Sequence, residues 1–278
     1  MSKEEKMRAA FSNILYVKEG IRIAPKDLRS TKADRVLSEE YLEIIASYKE
    51  YFDKIEEIVE FIDDIRNPTG IFKFVREYAY ANGLQHTKKI EIKGKIVEID
   101  DWYEPNDPEE YVMVFIDHIS LIQAESSGGK QMSQRESIAK LSSDYLIRLR
   151  NKYNYIPVVV QQQAAAQESV DNMKVGRLKP TLDGLGDNKT TQRDANVILG
   201  LFSPFRHEIP EYFGYDIKYF KDNIRFLEIL GGREGGGGTT CPLYFDGAVN
   251  YFKELPKSND AKGMEGVYKF LNSMRQHV

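Results

Sequence analysis

Apolar residues recur along the first hundred positions at two different spacings. In "VLSEEYLEIIASYKEYF" they fall three and four apart, which predicts a helix from about 37 to 55. An earlier helix is predicted over residues 2–15, where Ser2 is placed to cap it and Glu5, three residues on, completes a capping box. "NPTGIFKFVREYAYANG" starts a helix near Pro68 and stops it at Gly83, proline early and glycine late. Between these, "IVEFID" (58–63) reads as a short strand ending at Asp63 and Asp64. "KKIEIKGKIVEID" (88–100) alternates strictly about Lys93-Gly94, the mark of an exposed hairpin.

Beyond residue 110 the apolar runs become short and continuous. Strands are expected at 111–116 ("YVMVFI"), 156–162 ("IPVVVQQ"), 196–202 ("NVILGLF") and 225–230 ("RFLEIL"), with a helix over 133–152. "CPLYFDGAVNYFKEL" closes as a hairpin turning at Asp246-Gly247. Unbroken apolar strands that alternate with helices predict an α/β fold with a largely parallel core.

Composition narrows the partners. The 278 residues suffice for one large or two small domains, and 41% hydrophobic with 29% charged residues is ordinary for a globular chain. A net charge of −4 gives no global basic field for nucleic acid, although a ring of subunits can gather a few Lys and Arg in one channel. The single cysteine, Cys241, excludes an internal disulfide and fits a reducing compartment; it reads as structural. No apolar run approaches the roughly 20 residues of a membrane span. The opening "MSKEEKMRAAF" has no apolar core of a signal peptide, so a cytoplasmic protein is expected, in a bacterial or phage-infected host cell.

Chemistry concentrates in "YVMVFIDHISLIQAESSGGK" (111–130), where an apolar strand ends at Asp117 and breaks into a Gly-Ser loop. A carboxylate at the C-terminal edge of a parallel strand is placed to hold Mg²⁺ with nucleotide phosphates; equally, it can cap the turn that follows. Four more stretches follow in order: "IPVVVQQQ", "LKPTLDGLGDNKTTQRDANVILGL", "FLEILGGREGG" and "LYFDGAVNYFKEL". Together the five resemble the RecA-like ATPase domain of DnaB-type hexameric replicative helicases, including phage primase-helicases, over residues 1–255. The hairpin region 84–105 would be an insertion and 256–278 a C-terminal tail or helix.

The resemblance implies ATP and Mg²⁺ as cofactors, and a RecA-like, mostly parallel sheet flanked by helices, with a C-terminal β-hairpin. By position, Asp117 matches the Walker B aspartate and metal ligand. Gln163, with Gln162 as the neighbouring candidate, matches the glutamine that senses the γ-phosphate. Arg233 matches the arginine finger offered to a neighbouring subunit's ATP. The loops "ESSGGKQMSQR" (Lys130, Arg135) and "QESVDNMKVGRLKP" (Lys174, Arg177, Lys179) match those that track single-stranded DNA.

The departures are as informative. These 278 residues contain no Gly-x-x-x-x-Gly-Lys-Ser/Thr, and the Gly-rich tract 231–238 does not end in one. In the family, that phosphate loop and the catalytic glutamate precede the position where "MSKEE" begins, so the first strands of the fold are expected to be missing. Gly231 stands where the family's finger motif has lysine, Gly186 replaces an arginine, and Asn188-Lys189 replace Ser-Gly. Two functions remain open: the C-terminal part of a helicase ATPase core completed by a partner chain or as a homo-oligomer, or a non-catalytic helicase-associated or loading subunit. A single-strand-binding protein independent of ATP is a third, blander reading.

Overall fold

The computed structural model describes residues 2–29, 37–163, 172, 178–185, 189–235 and 237–276. The first helix spans Lys3–Ile14 with the expected capping box: Ser2 Oγ accepts from the Glu5 N–H at 3.3 Å, and the Glu5 carboxylate accepts from the Ser2 N–H at 2.9 Å. A wider turn, Leu15–Glu19, extends it to Gly20, whose left-handed backbone (φ 71°) ends it. Asn13 then reaches the Val249 and Asn250 carbonyls, while Arg22 grips the buried Asp246 through two hydrogen bonds of 2.7 and 3.0 Å.

The helix expected over 37–55 is two helices, Glu39–Ser47 and Lys49–Ile58, separated at Tyr48, whose ψ of 5° leaves helical geometry. The strand expected over 58–63 does not form. Helix runs to Ile58, and Val59, Phe61 and Ile62 remain exposed with no strand beside them. Alternating side chains satisfy a strand pattern, but a strand needs a partner to satisfy its backbone.

Pro68–Ala81 forms the next helix and buries Phe72, Val75 and Ala79, spaced three and four apart. It leads directly into a hairpin, Gly83–Ile92 against Lys95–Pro105, longer than the alternation alone suggested. Lys93 and Gly94 both take positive φ (50° and 74°), as a two-residue hairpin turn requires. The Tyr103 hydroxyl fastens the hairpin's root to the Ala79 carbonyl at 2.9 Å. Gly83 is obligatory there, because a Cβ would lie 2.4 Å from that hydroxyl.

Met113–Ile116 pairs in parallel with Ile156–Val159. The crossover between them is helical from Gln134 to Tyr153, with a wide π-type segment at Leu141–Leu146, and Ser133 and Glu136 cap its start. Phe72, Ile119, Ile138, Leu141 and Leu149 form the core beneath this pair.

The second sheet is ordered Tyr251–Glu254, Thr240–Asp246, Ile224–Gly232, Val197–Phe202, and every pair in it is antiparallel. The expectation of a mostly parallel sheet is thus corrected: parallel pairing is confined to the Asp117 strand and its neighbour. The short turns at 233–239 and 247–250 leave too little chain for a crossover, so their strands can only pair as hairpins. Phe220, Ile224 and Phe226 form a second core, into which the closing helix Ala261–Gln276 inserts Met264 and Leu271. Among the described residues no helix is long and apolar enough to cross a membrane.

Each sheet keeps an apolar edge and face open. Ile156–Val159 and Val197–Phe202 each have an edge that no described strand pairs. Met113, Phe115, Val197, Leu199 and Leu201 are at least half exposed. Parallel strands of this composition are ordinarily covered on both faces.

Candidate functional site

Ile116 closes the register of the parallel pair opposite Val159. Pairing continues through the Val160 N–H to the Ile116 carbonyl (3.0 Å) and the Ile119 N–H to the Val160 carbonyl (2.9 Å). Asp117 therefore leaves the sheet at its C-terminal edge, where residues 161–163 also emerge, and its peptide to His118 is cis. Buried Ile119 anchors the turn behind it. Sites in open α/β sheets form at this edge.

The Asp117 side chain is 49% exposed, and its Oδ2 accepts from Lys6 Nζ, on the first helix, at 2.8 Å. That hydrogen bond outweighs partial burial and holds the carboxyl below its usual range, so Asp117 is an ionised carboxylate already engaged with a cation. Lys6→Ala is expected to raise the Asp117 pKa toward an ordinary value, read by NMR titration of the side-chain carboxyl. Because the pair is exposed, stability should change by less than about 1 kcal/mol. An unmoved titration would show that Lys6 does not govern this carboxylate.

The three glutamines divide the work. Gln161 is structural: its Nε2 donates to the Leu185 carbonyl at 2.7 Å and its Oε1 accepts from the Thr191 hydroxyl at 3.0 Å. Gln162 is exposed. Gln163 is half-buried, and its Nε2 is buried with no partner among the described residues. A buried amide donor without an acceptor is the group here most in need of one. The structure thus brings Asp117, Gln162 and Gln163 to one edge.

No family model and no curated protein matches the chain. A solved structure does. The ATPase domain of a DnaB-like phage helicase aligns with a TM-score of 0.64 at 17% identity, over 92% of this chain and 72% of that one. The likeness establishes an α/β fold of the RecA-like ATPase type.

Within that fold the remaining expected residues are dispersed. Arg233 lies beside the start of the Val197–Phe202 strand: its N–H donates to the Asn196 carbonyl (3.0 Å) and its Nη2 to the Arg193 carbonyl (2.8 Å). It makes no described contact with Asp117 or the glutamines. Lys130 is exposed in a small hairpin, Ser126–Ser127 against Lys130–Gln131, whose tip places Gly128 and Gly129 at φ 59° and 80°. Arg135 is exposed in the first turn of the next helix, and Lys179 is exposed between buried Leu178 and Pro180. Lys174 and Arg177 lie outside the described residues, as do residues 186–188.

Sequence reasoning missed Glu125, at the root of the Lys130 hairpin. Its buried carboxylate accepts from the Thr69 N–H and hydroxyl (2.9 Å each), from Asn67 Nδ2 (3.3 Å) and from Lys140 Nζ (2.7 Å). Burial alone would raise its pKa, but Lys140, Thr69 and Asn67 together hold it at about 2. The Pro68–Ala81 helix has no cap from its own Asn67, so Glu125 supplies a remote anionic cap. The signal in the sequence was an uncapped helix start, but it names no partner 56 residues away.

Among the described residues no three His, Cys, Asp or Glu side chains gather as a metal site. Asp117 alone fits Mg²⁺ in the way one carboxylate serves when substrate phosphates complete the coordination. A transition-metal cage does not fit.

Proposed function

We propose that this chain forms part of a DnaB-type helicase ATPase core, whose phosphate loop is carried outside these 278 residues. The observation that carries the reading is Asp117: an ionised carboxylate at the C-terminal edge of a parallel strand, already bound to a cation. Asp117 would hold Mg²⁺ together with phosphate oxygens, and the ion would offset negative charge in phosphoryl transfer. Lys6 must first step aside, which costs little for an exposed pair. Gln163 offers its unpartnered amide to a phosphate oxygen or to the attacking water. Arg233, remote from Asp117, serves the nucleotide of an adjacent copy.

The open edges fit the same reading. The helix Lys189–Asp194 bridges the parallel pair to the second sheet: Thr191 holds Gln161, and Arg150 donates to the Asp194 carbonyl (2.9 Å) and to Asn196 Oδ1 (2.5 Å). A strand bearing the phosphate loop, bound between Ile156–Val159 and Val197–Phe202, would join both sheets and cover their exposed apolar residues. The test is amide hydrogen exchange of this chain mixed with the product of the adjacent upstream reading frame. Slowed exchange along both strands is expected; unchanged exchange at both would remove the composite reading.

Single-stranded DNA is the polymer this core would track, through Lys130, Arg135 and Lys179 with Lys174 and Arg177. In the completed assembly, Lys130→Ala or Arg135→Ala should weaken oligonucleotide binding regardless of sequence. Each should lower the salt dependence by about one counterion per contacting site, measured by fluorescence anisotropy across a salt series. A second reading, a non-catalytic subunit that docks on a helicase ring, is favoured by the lack of a lysine at Gly231. It predicts docking without turnover.

A further inference from the structure

We propose that Arg193, which no motif singled out, works with Arg233 as a two-guanidinium clamp for the phosphoanhydride oxygens of a nucleotide. The clamp rests on the reading of Arg233 as a nucleotide-directed residue and gives that site a second cation.

Both side chains line one open cavity of about 190 Å³, together with Leu182, Asn196, Ile198 and Gly231. The loop is drawn there by its own bonds, Arg233 Nη2 to the Arg193 carbonyl and the Arg233 N–H to the Asn196 carbonyl. The Arg193 side chain is exposed and has no hydrogen bond or ion pair among the described residues. No described lining residue is acidic. The adjacent carboxylate, Asp194, is committed elsewhere, accepting from the Ser142 and Ser143 hydroxyls at 2.7 Å each. A third guanidinium, Arg150, already holds Asn196 Oδ1, which leaves the Asn196 amide N–H₂ as a further donor.

Two like charges without a counter-charge repel each other, and an anion between them relieves the repulsion. Guanidiniums match phosphate oxygens in pairs, which a lone ammonium does not. Gly231 keeps the space open. A Cβ there would meet only the Leu182 and Ile198 methyl groups at 3.9–4.0 Å, so a side chain at 231 would enter the cavity without collision.

The test titrates the intact chain with tripolyphosphate at low ionic strength, by calorimetry, with no phosphate loop present. Saturable binding is expected, weakened roughly tenfold or more by Arg193→Ala and by Arg233→Ala. It should be restored when Gly231→Lys is added to Arg193→Ala, and left unchanged by Lys262→Ala on the closing helix. Absence of saturable binding, or an Arg193→Ala titration matching the wild type, would overturn the proposal. So would an Arg193→Ala variant that loses a thymidine oligonucleotide as strongly as it loses tripolyphosphate, which would make this a DNA surface. Turnover by the completed assembly is a separate readout. If it persists undiminished in Arg193→Ala, the clamp fails and the composite ATPase stands; if turnover never appears while the clamp binds, the reverse holds.

Discussion

Glu125→Ala is expected to lower the midpoint of thermal unfolding by roughly 6–12 °C at neutral pH, the largest stability effect of any single change near the site. The carboxyl is displaced from an ordinary 4.5 to about 2, which corresponds to roughly 3 kcal/mol. Its removal also strips the Pro68–Ala81 helix of its cap and leaves Lys140, 19% exposed, without a counter-charge. Because the folded state holds this pKa down, the stabilisation is complete above about 4.5 and is lost as pH falls through about 2. Thermal melts of wild type and Glu125→Gln should therefore converge over that interval. Curves that stay parallel would mean the carboxylate's partners do not stabilise the fold.

Asp117→Ala should abolish ATP turnover by the completed assembly, by at least about 10²–10³-fold, since the group that positions the charge-neutralising ion is removed. Unlike Glu125, this carboxylate is half exposed and bonded only to Lys6, so folding should barely change. The expected signature is a large loss of kcat with an unshifted melting midpoint and unaltered docking. A comparable loss in Lys6→Ala would assign the effect to the ion pair; the account expects Lys6→Ala to keep turnover.

Local chemistry was legible wherever neighbours in sequence decide the structure. The Ser2–Glu5 capping box, the Pro68 helix, the Lys93-Gly94 turn and the strand ending at Asp117 all rest on residues within a few positions of one another. Legibility failed where the decision was distant. "IVEFID" alternates like a strand but has no partner, and the helix over 37–55 breaks at Tyr48 with no proline or glycine to announce it. The parallel expectation failed because apolar runs do not state their direction; the short turns after Gly232 and Asp246 do, and they dictate hairpins.

The site divides in the same way. Asp117 and Gln163 were found because strand ends are visible in sequence, and they share one edge because two parallel strands end together. Glu125 and Arg193 were missed because their significance lies in contacts across 56 and 40 residues, Thr69 with Glu125 and Arg193 with Arg233. Lys6 escaped for the same reason, 111 residues from the carboxylate it holds.

The central claim is that hydrolysis needs this chain and a phosphate loop from outside it. The most direct measurement is steady-state ATP hydrolysis with Mg²⁺ and single-stranded DNA, comparing this chain, the upstream product and their mixture. Turnover in the mixture alone, stimulated by DNA, is the predicted result. Turnover by this chain by itself, or a mixture that docks and stays silent, would contradict it.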